Sequence, residues 1–164
     1  MSKIDGIFCT YEVKRLVTSD QVGKWCRLPY SGHKSGCPMY GRPRCPPGAG
    51  SIFDLLDGKD PIYLVYADFD LDRRAALMKL RFPEWSERQC RNVRHWQEIV
   101  RAQLRRNVRA AMEKLGCNEV TFCPEGLGVN VFATAAILGL KLEKIRRLHI
   151  DHHIALIGMK REGQ

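Results

Sequence analysis

The sequence has no apolar run approaching the roughly 18 residues a membrane helix needs. Its first residues, Met1-Ser2-Lys3-Ile4-Asp5-Gly6, lack the charged-then-apolar order of an export signal. A cytoplasmic protein without a membrane partner is the expectation. No internal repeat or low-complexity tract is present, which excludes solenoids and compositionally biased tails. Acidic residues are the scarcer charge: 18 Asp and Glu against 27 Lys and Arg leave a formal net charge of +9. Such a field attracts anionic small molecules, acidic proteins, RNA and DNA alike, so it names no partner by itself. With 45% hydrophobic and 27% charged residues, the 164-residue chain is neither disordered nor collagen-like, and its length suits a single domain, 1–164.

Closely paired Cys-x2-Cys motifs are also absent, although the chain has seven cysteines. An odd number without an export signal argues against a disulfide framework and leaves metal binding, catalysis or core packing. Cys9, Cys90, Cys117 and Cys123 are scattered, and most of them read as structural. Cys26, Cys37 and Cys45 lie together, separated by ten and then seven residues, in a segment crowded with Pro and Gly. From about 26 to 50 there is neither a helical nor a strand period, so this long loop cannot order itself by burying a face. Bound metal could supply that order, because thiolates hold soft or borderline metals and Gly and Pro let a short backbone wrap around them. The spacing fits neither a zinc ribbon nor a bacterial ferredoxin. A proline-rich surface loop with incidental thiols is the competing reading.

Around this loop the pattern reads β-α-β-α-β. Residues 7–17 suggest a strand, Thr18-Ser19-Asp20 caps a short helical turn that delivers Cys26, and Ser51 caps another at 52–56. Residues 62–67 are β-branched and aromatic, as in a central strand. Val93, Trp96, Val100, Leu104, Val108, Ala111 and Leu115 mark one face of a long helix over 87–115, stopped by Gly116. Strands at 119–123 and 153–158 flank a helix at 129–138. The expected fold class is an α/β sandwich, with helices packed on a mixed or mostly parallel sheet and a long Cys/Pro/Gly-rich metal-binding loop.

Two blocks carry a family resemblance: Cys37-Pro38-Met39-Tyr40-Gly41 leading into Cys45-Pro46-Pro47, and downstream Pro124-Glu125-Gly126-Leu127-Gly128-Val129-Asn130-Val131 followed by Gly139. In these residues, and in their order over most of the chain from Cys26 onward, the sequence resembles an uncharacterised prokaryotic family known only as predicted metal-binding proteins, a domain of unknown function. The resemblance implies a cysteine-ligated centre of the iron–sulfur type in a cytoplasmic protein of unknown reaction. Many members of that family carry a further close cysteine group before the Pro-Glu-Gly block. Here only Cys117 and Cys123 occupy that region, so a second cluster is not expected.

Three clustered thiols leave the fourth ligand open. His33 could complete a zinc site; in a 4Fe–4S cluster the fourth iron could take Cys123, Cys90, water or substrate, and an exchangeable iron is a Lewis acid able to handle sulfur or hydroxide. Cys123 is preferred because it ends a strand beside the loop from Pro124, where Glu125, Gly126 and Gly128 form a weak candidate for anion or cofactor binding and a tight turn is the plainer reading. His149, Asp151 and His153 would share one face of a strand, an arrangement that suits a polar strand better than a compact metal sphere. Arg91, Arg94, Arg101, Arg105 and Arg109 fall along one helical stripe, more simply a solvated face than a track for phosphates. The resulting expectation is an iron–sulfur protein with a redox, sulfur-handling or sensing role and an anionic small molecule or redox protein as partner. The alternative is a zinc-stabilised module that binds nucleic acid through the arginine-rich helix.

Overall fold

A computed structural model describes residues 9–29, 33–43, 45–143 and 148–162. Helices pack on a sheet of four strands, β1 (Thr10–Glu12), β2 (Tyr63–Asp70), β3 (Glu119–Thr121) and β4 (Ile150–Gly158), in the spatial order β1-β2-β4-β3. The α/β expectation holds; the mixed or mostly parallel sheet does not, because among the described residues every strand pairing is antiparallel. The cause lies in where the last strand goes. β2 and β3 both run antiparallel to β4 and therefore parallel to each other, as a crossover through helices demands, but β4 inserts between them.

The helices are α1 (Asp20–Trp25), α2 (Ile52–Leu55), α3 (Leu71–Arg81), α4 (Glu87–Cys90), α5 (Gln97–Leu115) and α6 (Val131–Ile137). The expected helix over 87–115 is interrupted. Ser86 and Gln89 form a capping box that starts α4, and Asn92 accepts from Arg94 N–H to open a short 3-10 turn, Val93–His95, before α5 begins. Gly116, left-handed at φ 70°, ends α5 as expected. The first strand is shorter than residues 7–17, of which 7 and 8 lie outside the described residues, and the last begins earlier, at Ile150.

Alternation along the two central strands builds two cores. Val65 and Ala67 of β2 with Ala155 and Ile157 of β4 face α5, meeting Val100, Leu104, Val108 and Trp96. Trp96 is core rather than a base-stacking platform: it is 4% exposed, stacks on Phe69 at 5.3 Å and donates its indole N–H to the Arg91 carbonyl. Asn107 of α5 donates to the Tyr66 carbonyl at 2.8 Å, fixing helix to strand. Leu64, Tyr66 and Leu156 face the opposite way, toward Ile52, Leu56, Leu127, Val129, Val131 and Leu138. Short elements cover that second face, and the cysteine loop borders it. Among the described residues no helix is long and apolar enough to cross a membrane.

Candidate metal centre

Local hydrogen bonds bring the loop cysteines together. Ser19 caps α1 by accepting from Gln21 N–H, and the helix ends at Cys26. The chain then returns so that Cys37 N–H donates to the Cys26 carbonyl at 2.7 Å. Gly36 allows this return: its φ is +86°, and a Cβ there would lie 2.4 Å from that same carbonyl oxygen and 2.7 Å from Arg27 Cα. Tyr40 N–H donates to the Cys37 carbonyl, Cys45 N–H to the Arg42 carbonyl and Gly41 N–H to the Pro46 carbonyl, folding the segment into successive turns. Pro46 comes to rest near Gly23, so Cys45 is carried back beside α1. Between 26 and 50 the described residues contain no helix or extended strand, as the Pro and Gly content requires.

The fourth cysteine arrives from the far end of the chain. Thr18 bridges to Val129, Ser19 N–H donates to the Gly128 carbonyl at 2.9 Å and Asn130 N–H to the Val17 carbonyl at 2.7 Å. These bonds seat α1 against the 3-10 turn Pro124–Leu127, with Cys123 immediately before it. Gly128, left-handed at φ 83°, and buried Leu127 make the Glu125-Gly126-Gly128 segment the tight turn that was the plainer expectation.

The thiols sense one another. Burial raises the pKa of Cys26, and negative charge at Cys37, Cys45 and Glu125 raises it further. Cys123 is exposed as a residue, yet the atoms crowding its sulfur desolvate the thiolate and push the thiol up to about 11, with Glu125, Cys45 and Cys26 adding to the rise. A backbone hydrogen bond from Gly126, whose N–H donates to the Cys123 carbonyl at 3.0 Å, partly offsets this rise. Burial also raises the Glu125 carboxyl, favouring its neutral, proton-bearing form. Among the described residues, no three His, Cys, Asp or Glu side chains stand at the separations a metal ion demands. The four cysteines are therefore neighbours in one electrostatic site without a closed coordination sphere.

Other sequence candidates disperse. Cys90 is buried with Ala75, Met78, Phe82 and Trp85 and is no candidate for a fourth ligand; Cys117 packs beside α5 and Cys9 on the opposite face. His33 is exposed on the loop. The arginine stripe is broken because its first members are not on α5: Arg91 ends α4, where it pairs with Asp72 at 2.7 Å and donates to the Leu148 carbonyl, and Arg94 lies in the 3-10 turn. Of the polar strand, Asp151 and His153 share a face, whereas His149 precedes β4 and pairs with Asp72 at 2.7 Å. Sequence reasoning did not foresee the burial of Glu125 or its proximity to the thiols; its place two residues after Cys123 was the available signal. A scan against models of known families, a search of curated proteins and a search of solved structures each returned no match to this chain.

Proposed function

We propose that Cys26, Cys37, Cys45 and Cys123 hold an iron–sulfur cluster, and that the chain serves a redox, sulfur-handling or sensing role in the cytoplasm. One observation carries this reading: cysteines from two distant parts of the sequence share one site, Cys45 and Cys26 raising the Cys123 thiol and Cys37 and Cys45 raising that of Cys26, with no lysine or arginine contributing to either shift. Cys26 and Cys123 so placed are poor nucleophiles by themselves, because both resist ionisation. A cation bound among them reverses that penalty, since it stabilises all the thiolates together.

The donor set is all sulfur, which favours a soft or borderline metal over a hard one. A cluster bound here would supply one-electron transfer or a Lewis-acidic iron. The chain's own contributions are separate. The Gly126 amide ties the turn at Cys123 through that residue's carbonyl, the turns of the loop set the ligand order, and burial of Glu125 beside the thiols favours its proton-bearing form. The prokaryotic family resemblance in the Cys-Pro and Pro-Glu-Gly blocks points the same way.

Anaerobic purification followed by iron, sulfide and zinc quantification tests the proposal. The expected protein is brown, contains iron and acid-labile sulfide, and absorbs broadly near 400 nm, as thiolate-bound clusters do. A colourless protein with stoichiometric zinc and no sulfide would replace the cluster with a structural zinc site.

A further inference from the structure

Among the described strands, β4 has a partner on one side only from Ile150 to Ala155. β3 meets it from Glu119, opposite Gly158, to Thr121, opposite Leu156, and stops there: the Cys123 N–H turns back onto Thr121 Oγ1 at 3.2 Å and Pro124 opens a 3-10 turn. The Leu71 N–H donates to the His149 carbonyl and the Tyr66 N–H to the Cys9 carbonyl, so the odd-numbered residues at the start of β4 turn their backbone groups to β2. Ile150, His152 and Ile154 therefore turn theirs to the side that β3 has left. Glu143 takes the Ile150 N–H at 3.0 Å, but the N–H and C=O of His152 and Ile154 have no partner among the described residues. A cleft of about 680 Å³ lies along this edge, with α5 on one side and the start of α6 on the other.

The two sides of the cleft differ in chemistry. Asp151 and His153 share the α5 face with Ala155, and Arg101 and Arg105 border the cleft there. His152 and Ile154 turn to the opposite face, where Val131 and half-exposed Phe132 offer apolar surface. On the α5 side Arg101 and Arg105 already face Glu98, at 2.7 and 4.0 Å, and among the described residues neither pairs with Asp151. Asp151 Oδ2 lies 3.1 Å from His153 Nε2 on a side chain 16% exposed, yet the buried oxygen makes no hydrogen bond among the described residues. Buried polar atoms without partners are rare in folded proteins and commonly mark the place of a water or ligand. Even with Glu125 left aside, Glu98, Glu143 and Asp151 outnumber the two arginines, so the cleft favours a cationic group.

We infer that this cleft binds an extended peptide, antiparallel to β4 and in line with β3, with branched apolar side chains at alternate positions and lysine between them. The edge itself selects such an occupant: His152 and Ile154 each need one donor and one acceptor, at the spacing of alternate residues in a strand. Peptide residues opposite His152 and Ile154 supply those groups and turn their side chains toward Val131 and Phe132. A lysine opposite Asp151 or His153 turns to the α5 face and brings its ammonium to the Asp151 carboxylate. Binding needs no metal and does not rest on the proposed cluster.

Amide hydrogen exchange followed by NMR, on the anaerobically purified full chain titrated with acetyl-Val-Lys-Val-Lys-Val-amide, tests the inference. At about ten times its Kd the peptide should slow exchange of the His152 and Ile154 amides about tenfold, and leave unchanged the His153 amide, which faces β2 already. The same peptide N-methylated at its valines loses the donors that face β4 and should give no protection. A version with glutamate in place of lysine should bind about tenfold more weakly, as like charges meet at Asp151. Isosteric Asp151→Asn should keep the protection and narrow the difference between the lysine and glutamate peptides. Unprotected His152 and Ile154 amides, equal binding of the N-methylated peptide, tighter binding of the glutamate peptide, or protection that arises without peptide as the chain self-associates would each overturn the inference. Because the readout is exchange at β4 rather than colour or activity, absence of a cluster would leave this result unaffected.

Discussion

The two faces of the sheet are covered in different ways. One lies under α5, a single 19-residue helix whose apolar stripe meets alternate residues of β2 and β4. The other is covered by pieces: four-residue α2, the turn Pro124–Leu127, seven-residue α6 and the adjacent cysteine loop. A long helix gains packing for every turn it orders, whereas each short piece needs its own cap and its own tether. The candidate metal centre lies on the pieced side. The continuous face supplies rigidity, while the pieced face can place backbone turns and thiols where no regular element would fit.

Truncation on the continuous face should produce the largest effect. Leu104 is 4% exposed between α5 and the sheet, so Leu104→Ala should cost about 3 kcal/mol through lost burial and the cavity left behind. Equilibrium urea unfolding would measure it, with both faces melting together because they share β2 and β4. A cost below about 1 kcal/mol would mean that α5 repacks freely and is not the rigid side of the comparison.

Breaking the pieced face should act locally. Residues 26–50 place few apolar side chains in either core, and ordering a backbone costs about 1–2 kcal/mol per residue, so on the proposed reading a bound metal would hold the segment closed. Cys37→Ser should lose the metal and admit protease between 26 and 50, while circular dichroism still reports the helices and sheet. Cys117→Ser, altered at a site beside α5, should retain both metal and loop. Full metal occupancy in the Cys37→Ser protein would move the ligands elsewhere.

The same contrast explains what could be read from the sequence. The α5 stripe, its Gly116 stop, the Ser19 cap and the central strand were legible because each is a local pattern with one physical cause. α3 escaped notice because exposed Leu77 and Leu80 blur the period set by buried Leu71, Ala75 and Met78, although Asp70, which accepts from Arg73 N–H at 2.8 Å, was a cap in plain view. The single helix over 87–115 failed for a related reason: its period continues through Val93 while the local caps at Ser86 and Asn92 restart the chain. Strand order was not legible, since the sequence pattern does not record that β4 enters between β2 and β3. At the candidate centre the loop trio could be found by composition. Cys123 was proposed through its position after a strand, which the structure ends at Thr121, and the burial of Glu125 depends on packing between α1 and the Pro124 turn that no local pattern encodes.

The smallest expected effect probes whether the pieced face encloses its thiols at all. In the metal-free protein the Cys123 thiol is pushed up to about 11 from an ordinary value of 9.0, chiefly by desolvation, and Cys26 shifts in the same direction. Below pH 9 the folded and unfolded chains both keep the Cys123 proton, and the stabilisation tied to the protonated thiol is fully present. As pH rises from 9 towards 11 the unfolded chain releases the proton first, so stability falls across that window and the stabilisation is lost as the folded thiol ionises. Iodoacetamide alkylation of Cys123, followed by mass spectrometry, should therefore accelerate towards pH 11 in the folded metal-free chain but near pH 9 in urea. Loading the proposed cluster should block alkylation throughout the range, because the sulfur is then a ligand rather than a free nucleophile. An inflection near 9 in the folded metal-free protein would show a thiol as well solvated as in an unstructured peptide, and with it the shared site of Cys26, Cys45 and Cys123 would lose its support.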